Sequence, residues 1–91
     1  MTSWKTLRHE LNLTEEEERV IELEKNLIQT VVQIRTEKGL TQAQLAKICD
    51  VKQPMIARME SATHSPQIDS LLRILVPLGY TLQIVPLQML K

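Results

Sequence analysis

Gln53 and Arg58, five residues apart in the stretch VKQPMIARMES, carry side chains that can form paired hydrogen bonds with flat polar groups. In the major groove of DNA, glutamine pairs in this way with adenine, and arginine with guanine. Ile56 and Met59 have helical spacing and are predicted to form the buried face of the same segment. The opposite face is therefore free to enter a major groove. The DNA-contacting residues predicted in this segment are Lys52, Gln53, Pro54, Met55, Arg58 and Ser61.

A first short helix must position this segment from its N-terminal side. Thr41 is predicted to cap that helix, because Gln44 follows three residues later and completes a capping box. Leu45, Ala46 and Ile48 are expected to face inward, and the small side chain of Ala46 lets a second helix cross closely. Two short helices joined by a tight turn predict a helix-turn-helix.

The start of the first short helix is also predicted to contact DNA. Gln42 lies in its first turn, where free backbone N–H groups and the helix dipole favour a phosphate. The second helix is predicted to begin near Gln53, with Pro54 in its first turn, where no backbone N–H is missed. Glu60 is expected to hold a backbone N–H or an arginine inside the motif, because phosphates repel a carboxylate. The DNA contacts predicted in the first helix are Thr41, Gln42 and Gln44.

A long helix precedes this pair and a short one follows it. The sequence TEEE predicts a capping box between Thr14 and Glu17. Helical periodicity continues from there to Ile34, and Gly39 is expected to end the helix with a positive φ. The last helix is predicted over residues 68–78. Its expected inward-facing residues are Ile68, Leu71, Leu72 and Leu75.

The segment YTLQIVPL, residues 80–87, is the one strand candidate in the sequence, because polar and apolar residues alternate in it. A lone strand leaves its backbone groups without partners, so we expect it to pair with a second copy of the chain. The alternative is an irregular tail. The residues predicted to form this dimer contact are Tyr80, Thr81, Leu82, Gln83, Ile84 and Val85.

Residues 3–11 are predicted to form a short amphipathic helix, or a segment that becomes helical on binding a partner. Its tryptophan lies beside leucines, as in a hot spot for protein binding, although the alternative is that these side chains pack on the core. The acidic run at residues 15–18 is typical of a solvated helix start and would also suit a basic partner. The residues predicted to contact a partner protein are Trp4, Leu7, Arg8, Leu11, Glu15 and Glu18.

Composition and charge restrict the class of protein. Its 91 residues suit one domain, and a single cysteine, Cys49, favours a reduced, cytoplasmic protein in which this thiol is a core residue. No apolar run approaches the roughly 18 residues of a membrane span, and no signal peptide is predicted. The zero net charge argues mildly against nucleic acid. The two parts of the chain nevertheless differ in net charge. Residues 1–39 contain six Lys/Arg and eight Asp/Glu, a net charge of −2, and residues 40–91 contain five Lys/Arg and three Asp/Glu, a net charge of +2.

Catalysis is not predicted. The sequence has no glycine-rich phosphate loop and no nucleophile paired with a base, and His9 and His64 are isolated. We therefore expect a binding protein that is not an enzyme, with no cofactor and no metal.

The stretch GLTQAQLAKICDVKQPMIARMES with the following SP resembles the helix-turn-helix of phage repressor, Cro and xenobiotic-response-element (XRE) regulators. The resemblance covers residues 27–79. Asp50 stands where that family has a turn glycine, Lys52 where it has a Ser/Thr cap, and Ala62 where it has a glycine; aspartate tolerates the left-handed conformation that this turn needs. The matching residues are Leu40, Thr41, Gln42, Leu45, Ala46, Val51, Gln53, Ile56, Glu60 and Pro66.

The flanking segments SWKTLRHEL, LTEEEERVIELEKNLI and LLRILVPLGYTLQIVP resemble those of HigA-type antitoxins. This resemblance implies a homodimer that binds its own operator DNA and neutralises a small basic toxin, a RelE/HigB-like mRNA interferase. The alternatives are a stand-alone dimeric XRE-family repressor without a toxin partner, and a protein inhibitor with little DNA binding.

The predicted architecture is all-α, with five helices of the Cro/repressor type and a C-terminal β-strand that pairs across a homodimer. Residues 1–26 form an N-terminal helical extension, which is the candidate toxin-binding segment. Residues 27–79 form the DNA-binding domain, and residues 80–91 form the dimerisation strand and tail.

Overall fold

The computed structural model describes residues 14–61 and 64–87, and these two ranges contain four α-helices and no β-strand. Helix α1 spans Glu15–Glu37, α2 spans Gln42–Cys49, α3 spans Gln53–Ser61 and α4 spans Ile68–Leu75. Helix α3 packs against both α1 and α2, and α4 packs against α2. The predicted helix-turn-helix is therefore formed by α2 and α3, with α1 and α4 supporting it. None of the described helices is long and apolar enough to cross a membrane.

Local signals determine both ends of α1. The hydroxyl Oγ1 of Thr14 accepts a hydrogen bond from the Glu17 N–H, and Glu17 Oε1 accepts one from the Thr14 N–H, both at 3.1 Å. These bonds from the Thr14 backbone and hydroxyl lower the pKa of the Glu17 carboxyl. At the other end, Gly39 has φ +70°, which glycine adopts without steric cost. The predicted capping box and helix end are both confirmed.

The core contains aliphatic and sulfur-containing side chains from all four helices. Leu45, Ile56 and Ile74 have no solvent exposure. Cys49 is also buried, as predicted; its Sγ donates a weak hydrogen bond to the carbonyl of Ile74 at 3.7 Å, and burial raises the pKa of the thiol. The buried residues are Ile28, Val31, Leu45, Ala46, Cys49, Ile56, Met59, Leu71, Ile74 and Leu75.

Two inward-facing predictions are wrong. Ile48 is 50% exposed and Ile68 is 67% exposed. With about 100° between successive residues, the buried stripe of α2 runs through residues 45, 46 and 49, so Ile48 points to one side of it. Ile68 is the first residue of α4, one turn before the first buried residue of that helix, and the inward position belongs instead to Ile74.

The turn between α2 and α3 depends on a left-handed residue. Asp50 has φ 55° and ψ 47°, and the Val51 N–H then bonds to the Ala46 carbonyl at 3.0 Å. Single aspartates tolerate this conformation better than most residues because their short polar side chain can hydrogen-bond locally. Asp50 therefore replaces the glycine of the family pattern, as predicted, and keeps the turn tight.

The predicted fifth helix and C-terminal strand are not supported. Residues 3–11, where the additional helix was predicted, lie outside the described residues, as does Ala62. Helix α4 ends at Leu75, and a turn at residues 76–79 follows it, in which Gly79 has φ +89°. Residues 80–86 are irregular and exposed because no strand within the described chain lies beside them to exchange backbone hydrogen bonds. The predicted domain boundary at residue 26 falls inside α1.

Candidate nucleic-acid interface

Helix α3 has a buried face and an exposed face. Ile56 and Met59 are 0% and 8% exposed, and they fix α3 against the core. The predicted contact residues of this segment lie on the other side: Met55 is partly buried, and the exposed members are Lys52, Gln53, Pro54, Arg58 and Ser61. The described part of the chain pairs neither the ammonium of Lys52 nor the guanidinium of Arg58 with an acceptor. Both cations are therefore available to a polyanion approaching α3.

A nearly buried ion pair sets the position of α3 relative to α1. The Arg35 guanidinium contacts Glu60 with two parallel bonds, Nε to Oε2 at 2.7 Å and Nη2 to Oε1 at 2.9 Å. The side chains of Arg35 and Glu60 are only 14% and 7% exposed. This pair confirms the prediction that Glu60 holds a partner inside the motif, and that partner is an arginine.

The same pair also holds the start of α2. Arg35 donates from Nη1 to the Leu40 carbonyl at 2.7 Å, just before the α2 cap. Gln42 donates from Nε2 to Glu60 Oε1 at 2.9 Å, and its side chain is partly buried. The Glu60 carboxylate near the end of α3 therefore bonds to the end of α1 and to the start of α2. Helices α2 and α3, which form the helix-turn-helix, are held together in this way.

The predicted contacts at the start of α2 are partly occupied by internal hydrogen bonds. Thr41 Oγ1 accepts from the Gln44 N–H at 3.1 Å, and Gln44 Oε1 accepts from the Thr41 N–H at 2.8 Å, which confirms this capping box. The amide of Gln42 is bonded to Glu60. What remains for a phosphate is the N–H groups of the first turn of α2, the hydroxyl proton of Thr41 and the amide protons of Gln44. Contact of these three residues with DNA stays a prediction.

The predicted partner-protein residues are only partly described. Glu15 and Glu18 lie in the first turn of α1, where Glu15 is exposed and Glu18 is partly buried. Trp4, Leu7, Arg8 and Leu11 lie outside the described residues. Contact of this set with a partner protein therefore stays a prediction.

The predicted dimer segment leaves the domain near the end of α1. The Tyr80 N–H bonds to the Leu75 carbonyl at 2.9 Å, and Lys38 Nζ lies 5.9 Å from the centroid of the Tyr80 ring. Beyond Tyr80 the apolar side chains face solvent, and Ile84 is 100% exposed. These contacts tether the base of the segment and leave its apolar residues uncovered within the described chain.

A cleft that sequence analysis missed lies beside the exposed face of α3. Its volume is about 450 Å³, and the residues absent from the sequence prediction are His64, Ser65, Gln67 and Ser70. They come from the segment that leads into α4 and from the first turn of α4. The sequence contained an indication of this cleft, because a short polar segment that directly follows a helix stays close to that helix.

Comparison with known proteins agrees with this geometry. A family model described as helix-turn-helix matches residues 31–85. A protein of Haemophilus influenzae described as an uncharacterized HTH-type transcriptional regulator is 41% identical over 87 residues, covering 96% of this chain and 88% of that protein. A solved structure titled "Toxin-Antitoxin module from Streptococcus pneumoniae" superposes with a TM-score of 0.66 at 39% identity, covering 96% of this chain and 94% of that chain.

Substitution of Glu60 by alanine tests the ion pair. It would leave the Arg35 guanidinium nearly buried without its carboxylate, so we expect the free energy of unfolding to fall by about 3 kcal/mol. Urea denaturation followed by circular dichroism measures this change. Glu22→Ala, at an exposed position on α1, is the matched control, with an expected change within about 0.5 kcal/mol. Equal losses in the two variants would contradict the structural role of the pair.

Proposed function

The chain belongs to the helix-turn-helix family of transcriptional regulators, and we propose that it is an antitoxin that represses its own operon and neutralises a RelE/HigB-like mRNA interferase toxin by direct binding. The observation that carries the DNA-binding half is the exposed face of α3, where two unpaired cations flank glutamine on a helix held by a buried ion pair. Gln53 and Arg58 are proposed to contact base edges, and Lys52 a phosphate.

The toxin half of the proposal is supported by similarity and by charge. The solved structure titled as a toxin–antitoxin module shares 39% identity across almost the entire chain. All four residues of the first turn of α1, Glu15–Glu18, are acidic. A toxin that cleaves mRNA must hold RNA phosphates and would therefore present a basic surface to these carboxylates. The proposed toxin contacts are those of the sequence prediction, at residues 4–18.

The proposed assembly is a homodimer. A symmetric pair places two recognition helices about 34 Å apart, so each binds one half of a palindromic operator. The uncovered apolar residues at positions 80–87 suit pairing with a second copy, in which the segment would gain the strand partner that one chain lacks. A cytoplasmic location, where the operator and mRNA are found, is part of the same proposal.

Two other functions are distinguishable. The Haemophilus influenzae relative is described as an HTH-type transcriptional regulator, and the first alternative, a stand-alone dimeric repressor without a toxin partner, is a protein of that kind. The zero net charge of the chain favours a protein inhibitor with little DNA binding. Co-purification of the tagged protein from its native cells separates the three, because the antitoxin brings a small basic protein and promoter DNA, the repressor brings DNA alone, and the inhibitor brings protein alone.

The DNA-binding face is tested by Gln53→Ala and Arg58→Ala. Each removes a proposed base contact, so we expect operator affinity to fall about 10- to 100-fold, corresponding to roughly 1–3 kcal/mol for each side chain. Fluorescence anisotropy with labelled promoter DNA at one fixed salt concentration measures the Kd. Arg73→Ala removes an exposed cation of α4 and is the control, with an unchanged Kd. A loss of the same size in Arg73→Ala would show that only general charge matters.

Deletion of residues 1–13 tests the toxin-binding segment. We expect the shortened chain to lose neutralisation of the toxin and to retain operator affinity, because the DNA-binding face lies on α2 and α3. Growth rescue of toxin-expressing cells measures neutralisation, and anisotropy measures DNA binding. Full rescue by the shortened chain would refute the assignment of toxin contact to these residues.

Gln83→Pro tests the dimer segment. Proline removes a backbone donor and blocks a ladder hydrogen bond, so light scattering should show a shift from dimer towards the 10.5 kDa monomer. Gln83→Ala keeps the N–H and should leave the dimer mass unchanged. A dimer mass that is also unchanged in Gln83→Pro would place the interface elsewhere.

A further inference from the structure

The cleft beside α3 includes residues that the proposed DNA contacts do not account for. Its volume of about 450 Å³ lies within the roughly 300–1,000 Å³ range of small-molecule sites. A phosphate of the DNA backbone needs only surface donors, and the stacked bases of a duplex cannot enter a side cleft. A half-open cleft of this volume with a largely apolar lining can also hold a small molecule.

The charged groups of the cleft are all basic. These charged groups are Lys52 and Arg58, and no aspartate or glutamate is among the described residues that line it. Within the described ranges, the Arg58 guanidinium has no carboxylate partner, unlike the guanidinium of Arg35, which is held by Glu60. The cleft therefore favours an anion, and a guanidinium and an ammonium together favour a phosphate group.

The apolar lining consists of two methionines and a proline. Met59 is 8% exposed, Met55 is partly buried, and Pro54 lies beside them at the start of α3. Thioether sulfur makes favourable contacts with aromatic rings, and the flexible methionine side chain adapts to their shape. This lining therefore suits a planar aromatic group next to the phosphate site.

The side towards α4 is polar and uncharged. Ser65, Gln67 and Ser70 supply hydroxyl and amide groups that both donate and accept hydrogen bonds. Hydroxyl groups on a ligand, such as those of a sugar, are the chemistry that these side chains would bind. The three parts of the cleft therefore match a phosphate, an aromatic ring and a sugar.

We propose that this cleft binds a nucleoside monophosphate and that its occupation displaces operator DNA. Displacement follows from shared residues, because Lys52, Pro54, Met55 and Arg58 belong both to the cleft and to the proposed DNA-binding face. Nucleotide binding does not depend on the proposed function, whereas the displacement of operator DNA rests on the proposed DNA binding. The antitoxin would then respond to a small metabolite as well as to its toxin.

The test of binding uses methionine methyl groups labelled with ¹³C in the full-length protein. The chain has four methionines, of which Met55 and Met59 line the cleft, while Met1 and Met89 near the chain ends provide reference signals. We expect adenosine monophosphate to shift the Met55 and Met59 signals saturably, and inorganic phosphate or adenosine alone to shift them far less. No shift with adenosine monophosphate, or equal shifts with phosphate alone, would overturn the proposed ligand class.

The test of displacement measures operator affinity by anisotropy in the same samples. Adenosine monophosphate at about ten times its own Kd should raise the apparent operator Kd about tenfold. An operator Kd that stays constant while the methyl signals shift would overturn displacement and leave the DNA-binding proposal intact. A wild-type chain that binds no operator DNA would refute the DNA-binding proposal, and the methyl titration would still report on the cleft.

Two variants obstruct the cleft from positions outside the proposed DNA contacts. Ser70→Leu narrows it from α4, and Ser65→Phe narrows it from an exposed loop position that places little demand on the core. Each should abolish the methyl shifts that adenosine monophosphate causes in the wild-type chain. Circular dichroism confirms that the variant is folded. Wild-type methyl shifts in a folded variant would place the nucleotide outside the cleft and overturn the proposal.

Discussion

The bidentate ion pair between Arg35 and Glu60 is the interaction on which the geometry of the domain depends. It joins the end of α1 to the end of α3, and its remaining bonds hold Leu40 and Gln42 at the start of α2. Removing two charges from water is costly, and good geometry with additional hydrogen bonds offsets that cost. The two charged side chains lie almost entirely inside the domain, and their pairing orients α3 so that its polar face points outward.

Three surfaces surround a core that is small for a free-standing domain. The α3 face is polar and cationic, the first turn of α1 is acidic, and residues 80–87 expose apolar side chains. The core is aliphatic, since the sequence contains no phenylalanine. A domain of this size buries a modest fraction of its surface, so covering the apolar C-terminal segment in a dimer would also add stability.

The cleft and the DNA-binding face meet at Lys52 and Arg58. With this overlap the proposed nucleotide and operator DNA would compete without any conformational change, because one pair of cations cannot neutralise two anions at once. Arg35 differs from Arg58, because its guanidinium is bonded to Glu60 inside the domain and does not line the cleft. The difference between the two arginines is one of partners, not of residue type.

The sequence by itself determined the local features of this protein. The capping boxes at Thr14 and Thr41 and the helix end at Gly39 each depend on residues within a few positions, so residue type and spacing predict them. The left-handed turn at Asp50 was predicted from the family pattern, in which a glycine stands at this position. The helix-turn-helix and its exposed polar face follow from the same periodicity. Only the tertiary structure decided which arginine pairs with Glu60, 25 residues away, and which isoleucines are buried. Periodicity predicts which residues share a helix face, but it does not predict which neighbouring element covers that face. The cleft likewise depends on the tertiary structure, because residues 64–70 lie beside α3.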